Sequence, residues 1–257
     1  CVAAGEQARE SHSSATATRV PAEPCGGSAS AATDLVVRGS VEQIHVAHAD
    51  PQATVSVRGP NDFRREASTD HRGGLVLRDV PPGKGYTVTI EGTETAEQAV
   101  RVLSQDSHPE AGFYASQTLE PTRGYIETRD GTLLSYRVVL PDADVHGPGP
   151  YDLVINYSGY QPSLETADAH QNRPFEKLSA LGYAVAGVNM RGSGCSGGAF
   201  LFMEPLTWLD GYDAVEAFAA QEWVDDVALG GQYWRGLTQP LVASTQPPSL
   251  PAIAPGP

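Results

Sequence analysis

The residues best placed to do chemistry form a short glycine-bounded segment near the end of the chain. This segment, Gly231-Gln232-Tyr233-Trp234-Arg235-Gly236, follows the apolar run Val227-Ala228-Leu229. A strand that enters a sharp turn of this kind and leaves it as a helix can present a nucleophilic side chain to a substrate carbonyl. Depending on the register of the turn, Tyr233 or Gln232 occupies its apex. Neither register supplies the hydroxymethyl group of a serine.

The acid–base partners that such a nucleophile needs do not follow it in the sequence. In serine enzymes built on this turn, an Asp or Glu and then a His come later in the chain. Residues 234–257 contain none of the three. A tyrosine has a pKa near 10 and needs an adjacent base to act as a nucleophile. We therefore expect Tyr233 to mark a lost nucleophile and the chain to be inactive by the usual route.

Two further features of this segment oppose a working turn. A nucleophile elbow is strained and needs small neighbours, whereas Tyr233, Trp234 and Arg235 are bulky. Pro240 falls in the first two turns of the expected helix, where a proline costs about 3 kcal/mol. The sequence therefore predicts a distorted elbow.

The elements that must position this segment alternate between strands and helices from residue 123 onward. Two strands around Arg129-Asp130-Gly131 indicate a hairpin with an Asp-Gly turn. Buried strands are predicted at 153–157, 183–189 and 227–229, with helices at 174–181 and 210–221, the first ending before Gly182. This alternation predicts an α/β fold with a doubly wound, mostly parallel sheet covered on both faces.

Residues 34–105 have a different pattern. Period-two alternation at 41–46, 54–58, 75–78 and 86–90, with turn signals between, predicts a small all-β sandwich. No catalytic constellation lies there, so we expect a spacer or a binding module. We accordingly divide the chain into a tether at 1–33, the sandwich at 34–105, a linker at 106–122 and an α/β domain at 123–257.

Composition and charge restrict the partners of the chain. The net charge is −14 and the pI is about 4.8, so nucleic acid would be repelled. No run reaches the roughly 18 apolar residues of a membrane span. The histidines and cysteines show no metal-ligand spacing.

The first residue, Cys1, has two interpretations. It is an arbitrary fragment boundary, or it is the lipid-bearing cysteine of a mature bacterial lipoprotein. The Ala-, Ser- and Thr-rich residues 2–33 fit a disordered tether and favour the second. That interpretation predicts an extracytoplasmic protein that contacts the membrane only through a lipid on Cys1. Cys25 and Cys195 could then pair, although the spacing does not fix whether they do.

The segment from Tyr125 onward resembles the cocaine-esterase and X-Pro dipeptidyl-peptidase family of serine hydrolases. The resemblance implies an incomplete α/β-hydrolase, which acts on esters or peptides without a cofactor. It also implies that the Tyr160 hydroxyl and the Trp234 backbone N–H stabilise the oxyanion, and that Tyr233 replaces the nucleophilic serine. The resemblance depends on Asp130-Gly131-Thr132-Leu133, Tyr157-Ser158-Gly159-Tyr160, the run 189–198, Asp210-Gly211-Tyr212-Asp213, Trp223-Val224 and Leu237-Thr238-Gln239.

Three hypotheses on function stay open at this point. The chain is a hydrolase region that is inactive because its reading frame was shortened or disrupted. Alternatively, it is a surface lipoprotein that binds a ligand through its β-sandwich, or a second chain supplies the missing Asp and His. We also expect the edge of the strand at 227–229 to be bare, which would invite a second chain to complete the sheet.

Overall fold

A computed structural model describes residues 34–92, 98–164 and 175–257. The predicted tether, including Cys1 and Cys25, lies outside these residues. Within them, no helix is long and apolar enough to span a bilayer.

The N-terminal β-region consists of two antiparallel sheets that enclose one apolar core. The first sheet has the order β1-β2-β5 and the second the order β4-β3-β6-β7. Alternate side chains of both sheets, such as Val46, Val57 and Val88, fill the space between them. The strands are β1 (Val36–Ser40), β2 (Gln43–Ala47), β3 (Thr54–Arg58), β4 (Arg64–Ser68), β5 (Leu75–Leu77), β6 (Gly83–Ile90) and β7 (Gln98–Val102).

Tyr86 closes one end of this core. Its ring is buried, and its hydroxyl donates to the carbonyl oxygen of Pro81 at 2.6 Å. A buried tyrosine that bonds back to the main chain a few residues upstream recurs in β-sandwiches, where it fixes the corner between strands. The turn that precedes β6 is thereby held in place.

The C-terminal α/β region is built on a six-stranded sheet of order β13-β12-β10-β11-β9-β8. The strands β10 to β13 are parallel, whereas β9 is antiparallel to β11 and to β8. This mixed sheet is an incomplete α/β-hydrolase sheet, as the sequence predicted. Its strands are β8 (Arg123–Glu127), β9 (Leu133–Val139), β10 (Tyr151–Ser158), β11 (Ala184–Asn189), β12 (Val224–Gly231) and β13 (Ala252–Pro255).

The helices are α1 (Ala111–Ala115), α2 (Ala143–His146), α3 (Pro205–Ala219) and α4 (Trp234–Ala243), and residues 175–179 are helical as well. Helices α3 and α4 pack on the sheet and on each other, and α1 packs on α3. The helix predicted at 210–221 in fact begins at Pro205. Proline is favoured at the first helical position, because its missing N–H has no intrahelical partner there. The sequence pattern located the core of this helix and misplaced its start.

The expectation of a bare edge at 227–229 is wrong. Strand β13 pairs with β12 in parallel, with Ile253 opposite Leu229. The short segment after α4 therefore supplies its own edge strand, and β13 and β8 are the two edges of the described sheet.

The two regions meet along one face of the β1-β2-β5 sheet. Val41 forms a small apolar cluster with Leu206 and Leu209 of α3. Beside it, the Ser40 hydroxyl donates to Asp130 Oδ2 at 2.5 Å, and the Gln43 amide donates to Glu204. The contact thus combines apolar burial with polar groups that are satisfied across the junction.

Candidate active site

The candidate site lies at the carboxyl end of the parallel strands, where the chain changes direction across the sheet. From β10 the chain crosses to β11 on one side, and from β11 it returns to β12 on the other side. Open α/β sheets bind ligands at such a switch point. The loops that follow β10 and β12 carry Tyr160 and Tyr233, so the topology brings these two predicted residues to the same edge.

The turn after β12 has the backbone of a strained elbow, and Tyr233 is the residue that carries the strain. Its φ is 55° and its ψ is −124°, a combination that is costly for a residue with a side chain. Helix α4 begins directly afterwards, at Trp234. Of the two registers left open by the sequence, the geometry therefore puts Tyr233 and not Gln232 at the apex of the turn.

The sequence predicted a distorted elbow, but the turn keeps the strained shape of an elbow in spite of its bulky residues. The bulky residues are accommodated because Tyr233 points outward, with 76% of its surface exposed. Glycine is required on either side of the turn, at positions 231 and 236, because other atoms of the chain come close there. A Cβ at Gly231 would lie 2.6 Å from Arg235 Cβ, and one at Gly236 would lie 2.2 Å from the Gly256 carbonyl oxygen.

Helix α4 also forms in spite of Pro240, which lies inside it. Two buried side chains fasten the helix to the sheet. Thr238 Oγ1 donates to the Tyr157 carbonyl at 3.1 Å. Gln239 donates through Nε2 to the Arg235 carbonyl at 2.9 Å and accepts the Ala254 N–H on Oε1 at 2.9 Å. These tertiary bonds offset the local cost of the proline.

The Tyr233 hydroxyl makes no hydrogen bond to any residue in the described part of the chain. No imidazole or carboxylate of the described residues is therefore in contact with the phenol to remove its proton. A nucleophile that acts at neutral pH needs such a base within about 3 Å.

Tyr160 lies where the resemblance places an oxyanion donor, in the turn after β10. Its ring is partly exposed, at 43%, and its backbone N–H donates to Ser158 Oγ at 3.3 Å. The next residue, Gln161, has a φ of 58°. The ring of Tyr160 meets that of Trp234 edge-on, with centroids 5.1 Å apart. The structure thus brings Tyr160, Tyr233 and Trp234 together, and the role of each stays a prediction.

Trp234 fills the space between these turns. As the first residue of α4, it has an N–H without an intrahelical partner, which is the donor that the resemblance implies. Its indole lies so close to Gly159 that a Cβ there would approach Cη2 to 3.1 Å. Phe200 and Phe202 pack on the indole from the other side, with centroids 5.6 and 5.5 Å away. No local sequence pattern indicates this aromatic cluster, because only the fold brings the loop at 198–203 to the elbow.

A buried ionic network supports the loop that follows β11. Arg191 donates to Asp210 through Nε and Nη2 at 2.6 and 2.5 Å, and to Asp130 through Nη1 at 3.1 Å. Burial raises the pKa of Asp130, but Arg191 and the Ser40 hydroxyl outweigh it and hold that pKa well below its usual range. Burial raises the pKa of Asp210 to about 7.

Arg191 pairs with Asp210 and not with the neighbouring Asp213. Asp213 instead accepts from Arg129 Nη2 at 2.8 Å and from the Tyr114 hydroxyl at 2.6 Å. Through Tyr114, the short helix α1 in the predicted linker is fastened to α3.

Cys195 lies in the glycine-rich loop after Arg191 and is disulfide-bonded. The disulfide anchors this loop covalently.

The sheet order, the strained elbow and the aromatic turn define the C-terminal region as an α/β-hydrolase. Residues 130–256 match the family model described as X-Pro dipeptidyl-peptidase (S15 family). The chain therefore carries a domain of the S15 hydrolase family, in agreement with the resemblance found in the sequence. No curated protein matches the chain.

Several solved structures are similar to the chain over part of its length. Est1E from Butyrivibrio proteoclasticus, solved with ferulic acid, is 22% identical over 51% of this chain and 51% of its own, with a TM-score of 0.43. A CocE/NonD family hydrolase from Staphylococcus aureus is 20% identical over 68% of this chain and 30% of its own, with a TM-score of 0.45. A lid-less α/β serine hydrolase from Xanthomonas campestris is 24% identical over 54% and 64%, with a TM-score of 0.41. The chain thus spans between about one third and two thirds of these proteins.

Proposed function

We propose that this hydrolase-family chain does not hydrolyse esters or X-Pro peptides through the serine mechanism of its family. The observation that carries the proposal is the identity of the residue at the elbow. Tyr233 takes up the strained backbone that would present a nucleophile, and among the described residues no base is in contact with its hydroxyl. A neutral phenol with no base to take its proton attacks a carbonyl poorly.

The surroundings of the elbow support the same proposal. The indole of Trp234 occupies the space beside Gly159, next to the turn that carries Tyr160. Phe200 and Phe202 pack on this indole, so aromatic rings crowd the space beside the turn. The ancestral reaction that fits this fold is transfer of an acyl group to water, with Tyr160 and the Trp234 N–H as oxyanion donors.

A kinetic comparison tests this proposal. Wild type and Tyr233→Phe are assayed side by side on p-nitrophenyl acetate and on alanyl-prolyl-p-nitroanilide. We expect both proteins to match the buffer rate on both substrates. Turnover by wild type that Tyr233→Phe abolishes would overturn the proposal, whereas turnover shared by both proteins would reveal a nucleophile other than Tyr233 and overturn it equally.

A second proposed function, ligand binding by the N-terminal β-region, is favoured by a specific observation. The face of the β1-β2-β5 sheet that meets the C-terminal region is only half covered by it. The uncovered half forms a cleft of about 780 Å³ with the loop at 198–201, a volume typical of small-molecule sites. This role does not require a working elbow.

We also propose an extracytoplasmic location for the chain. Disulfide bonds persist in oxidising compartments and are rare in the cytosol, and the bond at Cys195 supports the proposal. Thiol titration of the protein purified without reductant from a cell-envelope fraction should find Cys195 blocked. Recovery of the protein from the cytosol with Cys195 freely titratable would contradict it.

A further inference from the structure

The cleft between the N-terminal β-region and the loop at 198–201 has a polar face whose composition follows from the strand register. Arg38 on β1 lies opposite His45 on β2, and His45 lies opposite Val76 on β5. Residues two apart on a strand share a face, so Ser40, Gln43 and Arg78 belong to this face too. One half of this face carries Ser40 and Gln43, which are hydrogen-bonded to Asp130 and Glu204. The other half carries Arg38 and His45 and lines the open cleft.

Arg38 is the central group of the half that lines the cleft. Its side chain is largely buried, and burial lowers the pKa of the guanidinium. It makes one hydrogen bond with the described residues, from Nη2 to Thr132 Oγ1 at 2.8 Å. A guanidinium has five N–H donors, so Nε and Nη1 stay unbonded. Both nitrogens are accessible to solvent.

Asp130 is the carboxylate whose charge acts most strongly on Arg38. It cannot accept hydrogen bonds from Nε and Nη1 of Arg38. Asp130 Oδ1 already accepts from the Thr128 hydroxyl at 2.8 Å and from the Thr132 N–H at 3.0 Å. Its Oδ2 accepts from Ser40 at 2.5 Å and from Arg191 at 3.1 Å. A carboxylate offers about four lone-pair sites. Arg38 is therefore a partly desolvated cation in contact with a neutral hydroxyl, and no anion bonds to it within the described chain.

The rest of the lining tells which kind of anion fits. Arg78 uses Nε for Glu204 at 3.1 Å and keeps its two terminal nitrogens without a hydrogen bond in the described residues. Besides the polar residues His48 and Ser68, the cleft has apolar walls that belong to both regions of the chain: Val36, Ala47, Leu75, Val76, Phe200 and Leu201. A ligand for this cleft needs one anionic group for the arginines and an apolar body for the walls.

One acidic residue lies on the rim of the cleft. Asp70 is exposed, and its Oδ1 accepts the backbone N–H groups of Arg72 and Gly74 at 2.8 and 2.9 Å. These bonds lower the pKa of Asp70 and occupy the oxygen that faces its own turn. Asp70 therefore neutralises neither arginine by a direct contact, and it excludes a second anionic group from that end of the cleft.

The geometry points to a binding site for a small organic monocarboxylate with a ring-sized apolar group, its carboxylate on Arg38 and its apolar part between β5 and Phe200. Charge-assisted, paired N–H···O bonds from a guanidinium to a carboxylate are among the stronger polar contacts in proteins. The inference extends the binding role proposed for the N-terminal β-region and is independent of the elbow.

Fluorine NMR with a matched pair of probes tests the inference. The probes are 4-fluorophenylacetate and the neutral 4-fluorophenylacetamide, titrated with wild type, Arg38→Gln and Arg58→Gln. Arg58 is an exposed arginine of β3 outside the cleft and serves as the control. We expect the acid to bind wild type and Arg58→Gln at least tenfold more tightly than the amide. Arg38→Gln should lose that difference.

The outcomes separate the inference from the broader binding role. Equal affinity for acid and amide, or acid binding unchanged in Arg38→Gln, overturns the carboxylate site. Val36→Trp fills the cleft without touching the junction bonds, so it replaces Arg38→Gln as the decisive variant if the latter does not fold. Acid binding that survives Val36→Trp overturns the site as well. If neither probe binds wild type, the binding role falls with it.

Discussion

His45 is a residue whose burial gives it a measurable pH dependence. Desolvation lowers its pKa to about 3, and its Nε2 lies 2.8 Å from Gln43 Oε1. Since Gln43 donates its own amide to Glu204, the oxygen of Gln43 is the acceptor and His45 is neutral with the proton on Nε2. Arg38, Arg78 and Arg191 nearby oppose a further positive charge on the ring.

His45 therefore resists protonation in the folded chain, whereas it accepts a proton in the unfolded chain. Between pH 6.5 and 3 the unfolded state binds one more proton at position 45, so the free energy of unfolding falls as the pH falls, by about 1.4 kcal/mol per unit. His45→Gln keeps the donor to Gln43 and removes the titration. In urea denaturation, wild type should lose about 2 kcal/mol more than His45→Gln between pH 7 and pH 5.

The comparison between the two proteins also removes the contribution of Asp210. Its pKa is raised to about 7 by burial, so in the same window it stabilises the fold as the pH falls. Because Asp210 is present in both proteins, it cancels in the difference. Parallel pH dependences for wild type and His45→Gln would show that position 45 does not titrate as described.

The elbow between β12 and α4 is the element whose conformation conflicts most with its residue type. A non-glycine residue with the dihedral angles of Tyr233 stores about 1–3 kcal/mol of strain. The side chain is 76% exposed, so its truncation removes little packing. Tyr233→Gly should relieve the strain at the cost of unfolded-state entropy, whereas Tyr233→Ala removes the ring and keeps the Cβ.

We therefore expect Tyr233→Gly to be about 1 kcal/mol more stable than Tyr233→Ala, once the entropic cost of glycine is subtracted. Chemical denaturation of the two variants under identical conditions measures the difference directly. An alanine variant as stable as the glycine variant would mean that the turn relaxes when the tyrosine ring is removed.

The elements that the sequence predicted are those with strong periodicity. Strands such as β3 and β6 alternate between buried and exposed residues, and β10 and β11 are continuous apolar runs, so their positions follow from hydrophobic pattern alone. Strand β4, Arg64–Ser68, was missed because it is an edge strand with mostly exposed side chains. Its arginines suit an edge that must not pair with another chain.

The parts of the candidate site that escaped prediction depend on long-range packing. The contact of Trp234 with Phe200 and the pairing of Arg191 with Asp130 join residues far apart in sequence. No local pattern encodes either. The identity of Tyr233 as the apex residue depended on one backbone conformation, which the two registers of the sequence motif could not distinguish.

On the scale of the whole molecule, Asp130 joins the two regions. It accepts from Ser40 of the N-terminal β-region and from Arg191 of the C-terminal α/β region within one buried network. Removing one partner of a buried ion pair costs about 3–5 kcal/mol, because the other charge is left uncompensated. The junction therefore depends on this carboxylate more than on any exposed ion pair.

Asp130→Asn should lower the free energy of unfolding by about 3 kcal/mol and uncouple the two regions. All three tryptophans, Trp208, Trp223 and Trp234, lie in the C-terminal region, so their fluorescence follows that region alone, whereas far-ultraviolet circular dichroism follows both. The two denaturation curves should coincide for wild type and separate for Asp130→Asn. The exposed Asp152→Asn is the control, and coincident, unshifted curves for Asp130→Asn would contradict the role of the network.

The central claim, that Tyr233 has replaced a serine nucleophile without taking over its chemistry, is tested most directly by intact-mass spectrometry. Natively purified protein, with its fold verified by circular dichroism, is incubated with a fluorophosphonate probe beside Tyr233→Phe. We expect the mass of both proteins to stay unchanged, because the Tyr233 hydroxyl contacts no base in the part of the chain that the structure describes. A stoichiometric adduct on wild type, mapped to Tyr233 and absent from Tyr233→Phe, would contradict the account.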